Sequence, residues 1–167
     1  MSSRIFLNPG EWFFGGAPAR VETLLGSCVS VTLWSPQLQV GGMCHFLLPS
    51  NPKHSPPGSL DGRYGEDALA WLVQQVRQSG VDIRQYEVKL FGGSRTPQAG
   101  SGSSFAIGEK NIQFAETALA KLGLTPSGCD VGGDVHRYLR FELATGDVWV
   151  RYGEALPVSM AKQELRE

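Results

Sequence analysis

An α/β (α+β) domain is predicted by three observations. Apolar and polar residues alternate in several short runs, two segments carry helical periodicity, and successive strand candidates are joined both by tight turns and by helices. The 167 residues are 41% hydrophobic and 10% aromatic, enough to fill one core, so a single domain over 1–167 is expected.

The elements follow in order. Residues 29–34 (VSVTLW) alternate and stop at Ser35-Pro36, as a half-buried strand bounded by a turn does. Ser27 and Cys28 stand at its entrance. Residues 40–48 read as a second strand ending at Pro49, in hairpin relation to the first, and Gly41-Gly42 within it signals a bulge or a close backbone approach. The stretch 49–62 holds four prolines and reads as a loop that includes His54. In 64–79, Leu69, Leu72, Val73 and Val76 recur at helical spacing with Gly80 as a stop. Residues 86–91 alternate as a strand and run into Gly92-Gly93 and a Gly/Ser-rich loop reaching Ser104. A second helix over 109–122 places Ile112, Ala115, Leu119 and Leu122 on one face, with Gly123 beyond it. Strands at 137–143 and 148–152 flank Thr145-Gly146-Asp147, a hairpin signal. The tail 157–167 has too little apolar surface to form a core element and is expected to be loosely held.

Charge and cysteine content exclude several classes of function. Fifteen Lys and Arg against 16 Asp and Glu leave a net charge of -1, with no basic run to bind nucleic acid. The N-terminal segment lacks a basic and then apolar leader pattern, and no apolar run approaches the ~20 residues of a membrane span. Three cysteines without a CxxC pair fit neither a disulfide framework nor a zinc ribbon. Free thiols in a reducing compartment, the cytoplasm, are the simplest account.

Cysteine is the nucleophile with a plausible activator. Cys28 follows Gly26-Ser27, two small residues that permit a tight turn and present successive backbone N–H groups to a developing oxyanion. Cys44 precedes His45 on a strand, where neighbours point to opposite faces, and reads as a small core residue. Cys129, seven positions before His136 in a loop, can be buried or exposed. Cys28 with His45 is the leading pair, and the two strands are expected to lie side by side with the pair within or near hydrogen-bond reach. An adjacent imidazolium would then make Cys28 the fastest thiol to alkylate under mildly acidic conditions.

The stretch Thr23-Leu24-Leu25-Gly26-Ser27-Cys28-Val29 resembles a signature of the CheD chemotaxis family, and Gly41 to Pro49 (GGMCHFLLP) resembles its second. Arg63-Tyr64-Gly65, Phe91-Gly92-Gly93, Ile107-Gly108 with Asn111, and Gly132-Gly133 before Arg137 extend the likeness over about residues 20–152. The resemblance implies mixed sheets in a sandwich-like core flanked by two main helices. It implies deamidation of chemoreceptor glutamines to glutamate, with Cys28 as nucleophile, His45 as base and Thr23 supplying a hydroxyl. It places Gly26, Ser27, Gly92 and Gly93 at the substrate. The partners implied are the cytoplasmic helices of a methyl-accepting chemoreceptor and a CheC-type phosphatase, with no cofactor, metal, nucleic acid or membrane insertion. Two departures stand out: Glu22 beside the Thr23 position, and His136 where the family usually carries Gly.

Other readings share these residues. A non-catalytic adaptor would bind the receptor or the phosphatase through the same domain, and a cysteine protease or transglutaminase would use the same thiol on another substrate. Receptor methyl-ester hydrolysis is a related activity. A zinc site from Cys28, Cys44, His45 and Cys129 lacks paired ligand spacing.

Overall fold

A computed structural model describes residues 3–53, 56, 58–95 and 103–153, the side chains of 103–105 excepted. His54 and the tail 157–167 lie outside the described residues, as does most of the Gly/Ser-rich stretch.

The alternating segments form two sheets. The first has the order β1-β3-β8-β9, built from β1 (Ser3–Leu7), β3 (Ala19–Leu25), β8 (His136–Glu142) and β9 (Val148–Gly153). The second has the order β2-β5-β4-β6-β7, from β2 (Trp12–Gly16), β5 (Val40–Cys44), β4 (Val29–Ser35), β6 (Glu87–Gly92) and β7 (Gly128–Val131). Each sheet is mixed: β1 runs parallel to β3 and β7 parallel to β6, and the other pairs are antiparallel. The two helices, α1 (Gly65–Ser79) and α2 (Ser103–Lys121), belong to the second sheet, which is an α+β arrangement.

Period-two alternation gives the second sheet two different faces. Val29, Val31, Leu33, Cys44, Phe46, Val88 and Leu90 point toward the helices and share a core with Ala68, Leu72, Ala115 and Leu119. On the other face Met43 and Phe91 meet Leu7, Val21, Leu25, Leu139 and Phe141 of the first sheet, which makes the sandwich. One edge of that sandwich is closed by Arg137 of β8, whose Nε donates to Asp130 Oδ1 of β7 at 3.0 Å, and by the Tyr152 hydroxyl, which donates to the same carboxylate.

Helix α1 has no side-chain N-cap; its first free amides, of Gly65 and Glu66, donate to the carbonyls of Leu48 and Pro49 at 2.8 and 2.9 Å. That docks its N-terminus on the chain leaving β5. At the other end Gly80 adopts a left-handed conformation and closes the helix.

The structure refines several expectations. Gly41-Gly42 forms no bulge, since the β4–β5 ladder keeps one register from Thr32↔Met43 to Ser35↔Val40, but the close backbone approach is there: a Cβ on Gly41 would lie 2.2 Å from Leu33 O, and one on Gly42 2.9 Å from Phe13 O and 2.7 Å from Leu72 Cδ2. Helix α2 starts at Ser103, not at 109, so the expected loop is partly helical. Three N-terminal strands form where no regular element was assigned, and Cys129 lies in a strand rather than a loop.

Candidate active site

Between β3 and β4 the chain turns through Gly26, Ser27 and Cys28, and the three carbonyls of this turn are each held by a different donor. Ser94 N–H donates to Gly26 O at 3.0 Å, the Asn111 side-chain amide to Ser27 O at 3.0 Å, and Gly93 N–H to Cys28 O at 2.8 Å. Gly92 has φ +105, and a Cβ there would come within 2.3 Å of Cys28 O, so only glycine lets the end of β6 pass this close to the turn. Among the described residues no hydrogen bond uses the N–H of Ser27 or of Cys28.

His45 reaches the same place from β5. Val29 and Phe46 exchange two backbone hydrogen bonds, of 3.1 and 3.0 Å, continuing the β4–β5 register past the end of β5. One step either way, that register sets Cys28 opposite Leu47 and Ser30 opposite His45. Cys28, Ser30 and His45 therefore share the face toward the first sheet, with Cys28 and His45 on a diagonal, a spacing of about 7–8 Å between Cα atoms. Cys44, one residue earlier, points to the helix face and donates weakly to Val31 O at 3.9 Å.

From the first sheet Thr23 meets the imidazole. Its Oγ1 lies 2.7 Å from His45 Nδ1 and donates to Leu7 O at 2.8 Å. A carbonyl can only accept and a hydroxyl has one proton, so toward His45 the Thr23 oxygen accepts. Nδ1 therefore carries the imidazole proton, and Nε2 is left with a lone pair. Nε2 is buried without a hydrogen-bond partner, and so is the hydroxyl of Ser30 across the ladder.

Burial sets the charge state. It pushes the Cys28 thiol up to about 11 and the His45 imidazole down to about 4, the nearby Glu11 carboxylate opposing the latter only in part. Both shifts favour uncharged forms. No hydrogen bond joins the Cys28 sulfur to His45 Nε2. Both directions run against the expected resting imidazolium–thiolate pair: desolvation favours the neutral thiol and the neutral imidazole. Cys129, exposed on β7, is shifted up as well, by burial and by Glu116.

The structure joins Thr23 to His45 through a hydrogen bond and sets Cys28 on the same sheet face, on the diagonal from His45, with Gly26, Ser27, Gly92 and Gly93 forming the backbone around the turn. His136 opens β8, paired with Gly153, and one step past the Leu25↔Arg137 pair it lies level with Gly26. His45, not His136, is the imidazole on Thr23. Among the described residues no three His, Cys, Asp or Glu side chains converge as a metal site, and Cys44 faces away from Cys28 and His45. Sequence reasoning missed Leu7 O, which orients Thr23, and Ser30, although Ser30's parity with Cys28 was readable. Beside the site runs a groove of about 650 Å³, lined in part by Leu7, Gly10, Glu11, Trp12 and Asp61. Gly10 N–H donates to His45 O at 2.8 Å, which ties this groove to the imidazole.

A partly buried thiol in a turn with free N–H groups, on the same sheet face as an imidazole whose tautomer is set by a third group, is the kind of side-chain set that cysteine-dependent hydrolases use. The profile of the family described as CheD chemotactic sensory transduction matches residues 47–152. Similarity to individual proteins reaches farther. A probable chemoreceptor glutamine deamidase CheD 1 of Chromobacterium violaceum is 38% identical over 158 residues, 94% of this chain and 81% of its own. The CheD 3 protein of Dechloromonas aromatica, named the same way, is 40% identical over 148 residues, 89% of this chain and 86% of its own. One from Pseudomonas syringae pv. tomato is 39% identical over 165 residues, 97% of this chain and 95% of its own. The chain belongs to the CheD family. No helix among the described residues is long and apolar enough to cross a membrane.

Proposed function

We propose that this chain hydrolyses the side-chain amide of particular glutamines on chemoreceptors to glutamate, through a thioester on Cys28. One observation carries the mechanism: the Thr23 hydroxyl, itself tied to Leu7 O, holds His45 as the Nδ1–H tautomer with Nε2 unpaired on the face that bears Cys28. The CheD relatives, by name probable chemoreceptor glutamine deamidases, supply the substrate class.

The steps follow from the charge state. With thiol and imidazole both neutral at rest, the Cys28 proton passes to Nε2 as the sulfur attacks the carboxamide carbon, so ionisation is coupled to bond formation. The C–S bond forms, the carbonyl π pair moves to oxygen, and the N–H groups of Ser27 and Cys28 receive the oxyanion. Collapse of that intermediate breaks the C–N bond, and His45 Nε2–H protonates the nitrogen so that ammonia leaves. Water then adds to the thioester with its proton taken by Nε2; the C–S bond breaks, the thiol recovers the proton, and glutamate departs. Thr23 accepts from Nδ1–H throughout and steadies the transient imidazolium.

Gly92 contributes by its lack of a side chain, which lets β6 pass close to Cys28 O, and Gly93 by its N–H bond to that carbonyl. The chain acts as one domain in the cytoplasm on the receptor's helices, and a CheC-type phosphatase is a second partner that family membership suggests. The new carboxylate on a helical bundle would shift packing by a few tenths of a kcal/mol per like-charge neighbour.

The test is Cys28→Ala with purified chemoreceptor cytoplasmic fragments, following amide-to-acid mass shifts and binding together. Deamidation should vanish while binding stays within about twofold, since one sulfur is removed and the folding cost is about 1 kcal/mol. Retained conversion would overturn the thioester mechanism, and a wild-type chain that binds without converting any glutamine would leave an adaptor in its place.

A further inference from the structure

Helix α2 reaches the active site without facing the substrate. Gly108 lets it approach: a Cβ there would stand 2.5 and 2.6 Å from the carbonyls of Ser94 and Gly93. One turn later Asn111 is fully buried, and its Nδ2 donates both protons, to Ser27 O at 3.0 Å and to Leu47 O at 2.8 Å. Both neighbours are acceptors, which fixes the amide's orientation and leaves Oδ1 buried without a partner. An unpaired buried oxygen costs stability, so the arrangement is a poor one if packing were its only purpose.

The two carbonyls are not arbitrary. Ser27 precedes Cys28, and Leu47 is the residue the ladder sets opposite Cys28. One amide thus spans the two chains that bring the thiol and the imidazole together. A trans peptide is planar, with C=O and N–H pointing in opposite directions. The Ser27 carbonyl and the Cys28 N–H belong to one such plane. Held at the carbonyl end by α2, that plane turns the Cys28 N–H away from the helix, and among the described residues nothing else takes up this donor.

We propose that Asn111 is a positioning residue for acyl transfer: by clamping Ser27 O it aims the Cys28 N–H at the oxyanion, and by holding Leu47 O it sets the distance from that donor to His45. The proposal rests on Cys28 being the nucleophile. It distinguishes two reactions at one sulfur. Attack on a carboxamide builds negative charge on oxygen and needs the aimed donor, whereas alkylation by iodoacetamide displaces iodide and needs none.

The experiment compares both reactions in Asn111→Leu, which keeps volume and removes the donors, and in Asn111→Ser, which is smaller. Deamidation of a receptor cytoplasmic fragment should lose about 10–100-fold in kcat, less than the roughly 100–1,000-fold of an oxyanion donor removed outright because the Cys28 N–H is misaimed rather than lost, with KM changed by less than about twofold. Peptide-resolved iodoacetamide labelling of Cys28 at alkaline pH should stay within about threefold of wild type, because that reaction builds no oxyanion. Parallel loss of both reactions would make Asn111 a structural residue and overturn the proposal, as would no loss in either. Should neither variant fold, the wild-type protein still decides. A peptide aldehyde carrying its carbonyl where glutamine has the carboxamide would add the thiol across C=O, forming a C–S bond with the thiol proton going to the new oxygen or to His45. The amide proton of Cys28 should then move downfield by NMR, and an unshifted signal in the formed adduct would refute the aimed donor. Cys28→Ala serves as control: if it still deamidates, the nucleophile assignment fails independently of Asn111.

Discussion

The two faces of the second sheet are made by the same strands and do opposite work. Toward the helices, Val29, Val31, Leu33, Cys44 and Phe46 are nearly or fully buried and apolar, and they pack on Leu72, Ala115 and Leu119. Toward the first sheet the intervening residues are Cys28, Ser30, Thr32, Trp34, Met43 and His45: the polar ones sit beside an apolar core that Trp34, Met43 and Phe91 share with Leu7, Val21 and Leu139, and His45 among them meets Thr23. Neighbouring residues thus have different fates: Cys44 is pushed up to about 12 in the helix-side core, whereas His45 keeps a hydrogen-bonded nitrogen on one side and a free one on the other. A dry face supplies the rigidity, and the opposite face can then carry unpaired polar atoms at some cost in stability.

That comparison can be broken from either side. On the dry face, Leu72→Ala should cost about 2–5 kcal/mol, read by denaturant unfolding, while deamidation measured well below the melting temperature stays near wild type. A large loss of turnover in the folded variant would show that the faces are not separable.

On the polar face the pH dependence has a definite sign. His45 is pushed down to about 4 from an ordinary value near 6.5, so the unfolded chain takes up the proton first as pH falls. Its contribution to stability is intact above about pH 6.5 and declines between there and about pH 4, by roughly 3 kcal/mol at most. Stability of wild type minus His45→Gln, measured across this interval, should fall with acid; a flat difference would mean that the folded chain takes up the His45 proton as readily as the unfolded one.

Thr23→Val removes the acceptor for Nδ1–H and the hydroxyl donor to Leu7 O. Turnover should drop about 10–100-fold, stability should fall by about 1–3 kcal/mol, and Thr23→Ser should recover most of both. Recovery of stability alone would make Thr23 structural. The smallest effect concerns thiol labelling at neutral pH: Cys129, exposed on β7, should react first, Cys28 more slowly and faster with rising pH, and Cys44 only on unfolding. Fast labelling of Cys28 in mild acid would restore the resting ion pair set aside above.

How legible these features were depended on how local they are. The 29–34 alternation, the helical spacing of Leu69, Leu72 and Val76, and the turn at Thr145-Gly146 each reflect nearest neighbours along the chain, and β4, α1 and the β8–β9 hairpin formed there, although β4, expected half-buried, is covered on both faces by the helices and the first sheet. Strands β1 and β7 are short and partly exposed, and their partners are parallel and distant in sequence, so neither has a local signature. The opposite orientations of Cys44 and His45 followed from strand parity alone.

By itself the sequence determined the mixed class of the fold, the opposite facing of Cys44 and His45, and through resemblance the CheD family, and it supplied Cys28 and His45 as the pair on which the proposed function rests. Tertiary structure alone decided what surrounds them. The Thr23 hydroxyl sets the imidazole tautomer only because Leu7, 16 positions away, takes its proton. The turn at Cys28 is shaped by Gly93, Ser94 and Asn111, residues more than 60 positions downstream. Desolvation by the groups packed around them pushes the thiol up and the imidazole down, toward their uncharged forms. Hydrogen-bond direction and desolvation depend on which groups fill the space around an atom, and here those groups come from distant parts of the chain that folding brings together.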